Sequence, residues 1–432
     1  MNSPIVEPSP HQPSENTATT KGYGIADRWN AIPLYLQILM AMIAGAATGL
    51  VLGEKALFLE IPSKIILQLL GALAPPLILV AVIHVLMTTE IKGRTALRLS
   101  GLLLLNTTVA IAIGLFVANV VKPGAHRHLD VATAATPEGK GINPVDLLVQ
   151  NVPKSLLGPL GDRQNIIGVI VIAVAFGIAF RGVRHKPIHT VQELVEVAYE
   201  TLLTVLHWII RLVPIGVFAI VAKVLGTEGF EPFQAMGAFV LTVILALALQ
   251  TVWYLARIRL FSWVRPLELL RGMRDALVMA FSTGSSTATM PVTYACLKEK
   301  VGLREESASM GALVGSNFNN DGTALYEAMA ALFVAQMLGL ELTGVQQLLI
   351  VFTSIIASVG AAGIPEAGLV TMTLVFSAVH LPVEYIGLLL TVDWFLDRCR
   401  TTINVLGDVN VSCLLDGRIK IEQAIELNQK SK

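Results

Sequence analysis

The residue types most able to do chemistry lie together in the last apolar segment of the chain, residues 386–409. Five formal charges and two polar side chains fall in this one membrane-length segment: Asp393, Asp397, Arg398, Arg400, Thr401, Asn404 and Asp408. A charge facing lipid at the bilayer centre costs about 2.5–3.5 kcal/mol. A helix turns about 100° per residue, so all of them except Arg398 share an arc of about 100°. This polar stripe is therefore predicted to line a protein-enclosed cavity on a substrate or ion path.

The side chains on the stripe, with the polar turns that precede it, suit a small acid. Arg400 offers a planar fork for a carboxylate, and Asp397 can hold an ammonium group. Half-helices that begin after Thr287 and after Gly368 would turn backbone N–H groups toward a second carboxylate. The pattern predicts a pocket for a compact acid with two carboxylates, with or without an α-amino group. Hard oxygen ligands for a cation such as sodium are available on Asn319, Asp321 and Asp408.

Composition places the chain in the membrane class. It is 54% hydrophobic and 14% charged, whereas soluble domains are about 25% charged. The formal net charge is zero, which gives no support for nucleic-acid binding. Cys296, Cys399 and Cys413 have no zinc-site spacing and no disulfide framework is expected. Residues 1–20 are polar and read as a disordered tail rather than a signal peptide.

Hydropathy predicts six long membrane segments in the first part of the chain. Each is near or above the length that spans a bilayer; they cover about 33–52, 62–88, 97–121, 164–182, 192–224 and 232–256. Basic residues follow the second, fourth and sixth runs: Lys92, Arg94, Arg98, Arg181, Arg184, Lys186, Arg257, Arg259, Arg265, Arg271 and Arg274. By the positive-inside rule the N-terminus is cytoplasmic. The irregular connector 122–163 is placed outside.

After residue 265 the apolar runs become short and are interrupted by small and polar residues. The interruptions are FSTGSSTATMP, NFNNDGT and GAAGIPEAG, at about 281–291, 317–323 and 360–368. Broken backbone at membrane depth is tolerated only where protein or a water-filled cavity surrounds it. The first and third interruptions therefore predict the tips of two re-entrant hairpins that enter from opposite sides. Such opposed units are typical of inverted repeats in secondary transporters.

Four motifs identify a resemblance to a known family. FSTGSSTATMPVT, NDGTALYEA, GAAGIPEAGLVTM and VDWFLDRCRTTINVLGDV are similar to motifs of the dicarboxylate/amino acid:cation symporters. That family includes the archaeal aspartate transporters and the animal excitatory amino-acid transporters. The likeness is strong over 265–416 and weaker over 30–260.

The resemblance implies an all-α integral membrane protein with eight transmembrane helices, two re-entrant helical hairpins and inverted repeats. It implies an elevator-type transporter, a homotrimer embedded in lipid, with both termini cytoplasmic. The membrane would be the plasma membrane, which is the inner membrane in a bacterium. The implied division is a disordered tail (1–30), six helices of scaffold and part of the transport domain (31–260), a transport core (265–415) and a second tail (416–432).

By the same resemblance the protein is not an enzyme but a symporter that couples uptake of aspartate or glutamate to the sodium gradient. A C4-dicarboxylate:cation symporter is the alternative, and co-transport of a proton or counter-transport of potassium stays open. The implied substrate contacts are Ser286, Thr323, Ile364, Gly368, Asp397, Arg400, Thr401 and Asn404. One sodium site would use Gly315, Asn319, Asn404 and Asp408. A second would use backbone carbonyls near Asn317, Ser358, Val359 and Ala361.

A third cation site would use Asn319, Asp321 and the third membrane helix, and here the chain departs from the family pattern. That helix usually supplies a tyrosine and two small hydroxyls, whereas this chain has Leu103, Asn106 and Thr107 at the matching positions. Asn320 replaces the methionine of the usual motif. Asn106 and Thr107 are the candidate ligands here, and the occupancy of the site is left open.

Several residues have more than one interpretation. Glu327 matches a position that carries a proton in the animal proteins, or it is a structural carboxyl. Arg400 is a substrate fork, or a structural partner of Asp397 or Asp393, since intramembrane charges pair. Ser285 and its neighbours cap the half-helix in either case.

Three other functions fit the sequence less well. An intramembrane hydrolase built on Ser286 is disfavoured because no histidine lies near the serine motif. A passive channel is disfavoured by the convergence of charged groups on an enclosed site. A neutral amino-acid exchanger is disfavoured because such family members lack the arginine found at 400.

Overall fold

The computed structural model is helical wherever it describes the chain. The described residues are 32–59, isolated positions between 61 and 87, 93–125, 169–170, 173–174, 189–360 and 367–418, and these ranges contain no β-strand. The predictions for both terminal tails, for most of the runs 62–88 and 164–182, for nearly all of the connector 122–163, and for Ala361 and Ile364 lie outside the described residues.

Long apolar helices form the first part of the chain. α1 spans Leu34–Leu52 and continues as a 3-10 helix, Gly53–Leu59; α2 spans Gly93–Val121, α3 His189–Ile210, α4 Val213–Glu228 and α5 Glu231–Phe261. Within the described ranges, four spans are long and apolar enough to cross a membrane, by length and composition: Leu34–Leu59, Leu97–Val121, Val191–Glu228 and Glu231–Phe261.

The fifth apolar run, 192–224, is two helices rather than one. α3 ends at Ile210 and α4 begins at Val213, with Pro214 in the first turn of α4. Proline lacks an N–H, and its ring clashes with the carbonyl four residues earlier, so a helix cannot pass through it without distortion. The break lies at the position that this rule requires.

α1 packs closely along α4 through two glycines. A Cβ built on Gly45 would lie 2.6 Å from the carbonyl oxygen of Phe218, and one on Gly49 would lie 2.5 Å from that of Ala222. Small residues four apart let two helix backbones approach in a bilayer, where packing drives association. The Gly45–Gly49 face therefore fixes α1 against α4.

Shorter helices form the second part of the chain. α6 spans Pro266–Gly272, α7 Arg274–Thr283, α8 Ser286–Ala295, α9 Glu305–Ser309, α10 Gly315–Phe318, α11 Asp321–Met337, α12 Gly344–Gly360, α13 Ala367–Ala378 and α14 Ile386–Asp416. Wider π-helical turns, Cys296–Val301 and Met310–Val314, extend α8 and precede α10.

α7 and α8 form the first predicted hairpin. Each has 10 residues and rises about 15 Å, half of the roughly 30 Å hydrocarbon core. Lys300, just beyond α8, makes an ion pair with Asp275 at the start of α7. Both open ends of the hairpin therefore lie on the same side. At the closed end Gly284 has a φ of +64°, which permits the reversal between the helices.

A break separates α10 from α11, and α12 packs against α13. Asn319 and Asn320, with ψ of 75° and 50°, leave the helical conformation and interrupt the backbone inside the protein. α14 is the element around which the second part is built. Its 31 residues are largely buried, and it packs against α5, α7 and α11 among others.

Candidate substrate and cation site

The polar stripe on α14 is enclosed by protein. Its six members have between 0% and 7% of their surface exposed: Asp393, Asp397, Arg400, Thr401, Asn404 and Asp408. Arg398, which lies off the arc, is partly exposed, and its guanidinium lies 5.4 Å from the centre of the Tyr35 ring on α1. The helical period thus separates the two neighbouring arginines into different surroundings.

Arg400 is paired on both sides within α14. Its Nη1 donates to Asp393 Oδ1 and its Nη2 to Asp397 Oδ1, each at 2.8 Å. The guanidinium lies over the Tyr326 ring at 4.0 Å, and Nε has no hydrogen-bond partner. A Cβ built on Gly368, at the start of α13, would lie 3.1 Å from Nη2. The arrangement is a charge triad, defined here as Asp393, Asp397 and Arg400, with a formal charge of −1.

The tip of the first hairpin reaches this triad. A Cβ built on Gly284 would lie 3.0 Å from Asp397 Oδ2. Ser285 is extended and its Oγ accepts from the Ala288 N–H at 3.1 Å, so α8 begins at Ser286 rather than after Thr287. This is ordinary N-capping. The hydroxyl of Ser286, a predicted substrate contact, donates to the Ser316 carbonyl at 3.0 Å.

Asn404 joins α14 to the broken helix. Its Oδ1 accepts from the Gly322 N–H at 2.8 Å. Its Nδ2 donates to Asn320 Oδ1 at 3.2 Å and lies 3.4 Å from Thr323 Oγ1. Thr323 and Thr401 are 6% and 4% exposed. These contacts bring Thr323 of α11 to Asn404 of α14, two of the predicted substrate residues; Ile364 lies outside the described residues.

The first predicted sodium site contains two buried oxygens that no donor in the described part of the chain satisfies. They are Asn319 Oδ1 and Asp408 Oδ1, and both residues are at most 1% exposed. The backbone at Gly315 closes on Asp408, because a Cβ there would collide with Asp408 Oδ1. The Asn319 amide donates to the Asn404 carbonyl at 3.2 Å. Unsatisfied buried oxygens are costly, and a hard cation prefers oxygen ligands, so this cluster fits sodium.

The second predicted site is only partly described. Asn320 Nδ2 donates to the Ser358 carbonyl at 2.8 Å, so that oxygen already has a polar partner. Asn317 donates to the Leu313 carbonyl at 3.2 Å. Val359 lies in α12, and Ala361 falls outside the described residues.

At the third predicted site the side-chain oxygens of Asn106, Thr107 and Asp321 are engaged. The Thr107 hydroxyl donates to Asp321 Oδ1 at 2.7 Å, and the Tyr254 hydroxyl donates to Asp321 Oδ2. Arg257 Nη1 donates to Asn106 Oδ1. The sequence had placed Arg257 in the basic connector after the sixth run. That placement is wrong, since α5 continues to Phe261 and Arg257 is only 6% exposed.

Glu327 lies on the buried face of α11 against α13. The Thr371 hydroxyl donates to its Oε1, while Oε2 has no hydrogen-bond partner among the residues that the structure describes, and Glu327 is 0% exposed. Among the described residues it makes no ion pair within 4.0 Å. An unpaired buried carboxylate is costly, whereas the neutral acid is far less so. The pocket therefore suits a carboxyl that holds a proton.

Fold and site together define a multi-pass membrane transporter, in which broken helices enclose a charged helix. The family model of the sodium:dicarboxylate symporter family matches residues 34–418. The chain belongs to this family.

Two relatives are similar over most of their length, and a third is more similar over less than half of its length. The excitatory amino acid transporter 3 of Oryctolagus cuniculus is 30% identical over 87% of this chain and 83% of that protein. Its counterpart from Homo sapiens is 30% identical over 86% of this chain and 83% of that protein. The excitatory amino acid transporter 4 of Mus musculus is 42% identical over 56% of this chain and 44% of that protein.

Proposed function

We propose that this protein is a secondary active symporter that takes up an acidic amino acid, aspartate or glutamate, with sodium. Membership of the sodium:dicarboxylate symporter family supports the class of reaction. The names of its relatives support an amino-acid substrate. The observation that carries the proposal is the charge triad, because it holds one cationic fork and two carboxylates in a buried space beside the first hairpin tip.

Substrate binding is proposed to be an exchange of partners within the triad. A substrate carboxylate takes the Arg400 Nη2 that Asp397 now occupies, because the fork suits a carboxylate. The released Asp397 then binds the substrate ammonium. Asp393 keeps its contact with Nη1 and holds the guanidinium in place. Each charge of the triad has a partner before and after the exchange, which a buried site requires.

The same exchange favours an amino acid over a C4-dicarboxylate. A dicarboxylate without an amino group would also displace Asp397 from Arg400, but it would offer that carboxylate no ammonium. A buried charge that loses its partner costs roughly 3–5 kcal/mol. Succinate is therefore expected to bind much more weakly than aspartate.

Sodium is proposed to bind at Asp408 and Asn319, next to the backbone of Asn404. The charge of the sodium ion would neutralise Asp408. Asn404 would then be held in one position and would fix the interrupted backbone between α10 and α11. This arrangement couples the cation to the substrate, because Asn404 also contacts Thr323 at the substrate side. Glu327 is proposed to carry a proton with the substrate, and potassium counter-transport would then follow the cycle of the animal relatives.

The remaining architecture is proposed from the family resemblance. The protein would have eight transmembrane helices and two hairpins, with both termini in the cytoplasm. It would form a homotrimer in the plasma membrane or, in a bacterium, the inner membrane. Residues 265–415 would form the core of a transport part that moves against a scaffold drawn from 31–260.

Uptake into proteoliposomes tests the function directly. Radiolabelled aspartate should accumulate under an inward sodium gradient, and collapse of that gradient with an ionophore should abolish accumulation. Succinate should compete at least tenfold more weakly. Sodium-independent accumulation would contradict the coupling, and equal competition by succinate would contradict the role of Asp397.

A further inference from the structure

The cluster around Asp321 already contains a positive charge. Asp321 is 0% exposed, and its two oxygens accept from Thr107 on α2 and Tyr254 on α5. Arg257 lies three residues after Tyr254 on α5 and is 6% exposed. Its guanidinium donates to Asn106, the residue next to Thr107.

α5 supplies a row of polar side chains to this cluster. Gln250, Tyr254 and Arg257 recur at helical spacing, so they share one face. Gln250 Nε2 lies 3.5 Å from the Asn106 carbonyl, and Arg257 also lies 5.5 Å from the centre of the Trp253 ring. Arg257 is therefore held in place by contacts with side chains of the protein interior.

The electrostatics require a counter-charge at this position. A buried carboxylate without compensation is costly, and two neutral hydroxyl donors supply no charge. Arg257 supplies one nearby, because it contacts Asn106, and the next residue, Thr107, contacts Asp321. No basic residue of the described chain makes a direct ion pair with Asp321 within 4.0 Å. The charge of Asp321 is therefore compensated at one remove. Arg257 is hydrogen-bonded to Asn106, and the neighbouring Thr107 is hydrogen-bonded to Asp321.

The oxygens are a poor fit to a cation. A sodium ion at Asp321 would have to turn the Thr107 and Tyr254 hydroxyl protons away. It would also lie near the Arg257 guanidinium, and like charges repel strongly at low dielectric. This contrasts with Asn319 Oδ1 and Asp408 Oδ1, which have no donor.

We propose that Arg257 is a built-in counter-charge for Asp321 that replaces the third co-transported cation, so that this protein couples two sodium ions to each substrate. The proposal rests on the proposed sodium-coupled uptake. It concerns the number of ions, not their presence, and so it can fail while the function holds.

The test measures the ion stoichiometry of the full-length protein in proteoliposomes. At a clamped membrane potential, the substrate gradient that stops net aspartate flux is determined against imposed sodium gradients. The logarithm of the aspartate concentration ratio at zero net flux is plotted against the logarithm of the sodium concentration ratio. The slope gives the number of sodium ions per substrate. The parent protein should give about two. In Arg257→Met, which keeps the length without the charge, the slope should rise toward three.

A second readout does not depend on transport. The sodium dependence of aspartate binding in detergent should steepen by about one ion in Arg257→Met. Arg259→Met is the matched control, because Arg259 is exposed on the same helix and should leave both slopes unchanged. A parent slope of three, or an Arg257→Met slope equal to that of the parent, would overturn the proposal.

A double variant decides the case if Arg257→Met does not fold. Arg257→Met/Asp321→Asn removes both charges, so it should fold and keep the parent slope of two. A slope reduced by one would mean that Asp321 binds a sodium ion in the parent. Failure of the double variant to fold would mean that the two charges do not compensate each other. Either result would refute the proposal. Absence of any sodium-driven uptake in the parent would instead refute the proposed function.

Discussion

Replacement of Arg400 by glutamine should weaken substrate binding and should also lower the stability of the substrate-free protein. The fork makes two contacts of 2.8 Å to carboxylates, and one of these is proposed to pass to the substrate. A hydrogen bond to a charged group contributes about 1.5–3 kcal/mol, so aspartate affinity should fall roughly 10–150-fold. In the substrate-free protein, Asp393 and Asp397 lose their shared partner, which costs about 3–5 kcal/mol.

Two measurements on purified protein separate these effects. Equilibrium binding of labelled aspartate gives the first, and the thermal unfolding midpoint without substrate gives the second. The double variant Arg400→Gln/Asp397→Asn should recover much of the lost stability but none of the aspartate affinity. Arg398→Gln is the matched control, since its guanidinium faces Tyr35 off the stripe, and it should change affinity less than threefold. Unchanged aspartate affinity in Arg400→Gln would refute the reasoning.

Three further outcomes are expected. Asp408→Asn should raise the sodium concentration needed for half-maximal aspartate binding by about 10–150-fold, because it removes the negative charge of the site; an unchanged sodium titration would exclude Asp408 as a ligand. Glu327→Gln should abolish the response of uptake to an imposed proton gradient and preserve exchange, whereas a parent protein that ignores the gradient would leave Glu327 with a structural role only. Gly45→Val should lower stability by about 1–3 kcal/mol through overpacking against Phe218, measured by thermal unfolding, and a neutral effect would contradict the close contact of α1 with α4.

The stripe on α14 could be derived from the sequence because two strong constraints act on it. Charges in an apolar segment must avoid lipid, and the helical period assigns each to a face. The broken helices were equally accessible, since serine, glycine and asparagine interrupt runs that would otherwise continue. The first half-helix nevertheless begins at Ser286, because capping geometry, not composition, determines its first residue.

The partners of these residues could not be derived in the same way. Arg400 has three acidic residues on its own arc, and the choice of Asp393 with Asp397 depends on three-dimensional packing. Arg257 lies near the end of an apolar run, where the positive-inside rule counts every basic residue as a flank. Tyr254 gives no local signal at all, because a tyrosine in an apolar helix is usually packing. Only the contact between α2 and α5 reveals their role.

The glycine contact between α1 and α4 also has a consequence for biosynthesis. Gly45 and Phe218 are about 170 residues apart in the chain, so at about 5–20 residues per second α1 leaves the ribosome roughly 10–35 s before its partner. During that interval α1 must reside in the membrane without α4. Its apolar length permits this. Insertion and docking of α1 are therefore separate events in time, and a defect at Gly45 should leave the nascent helix inserted but unassembled, open to membrane quality control.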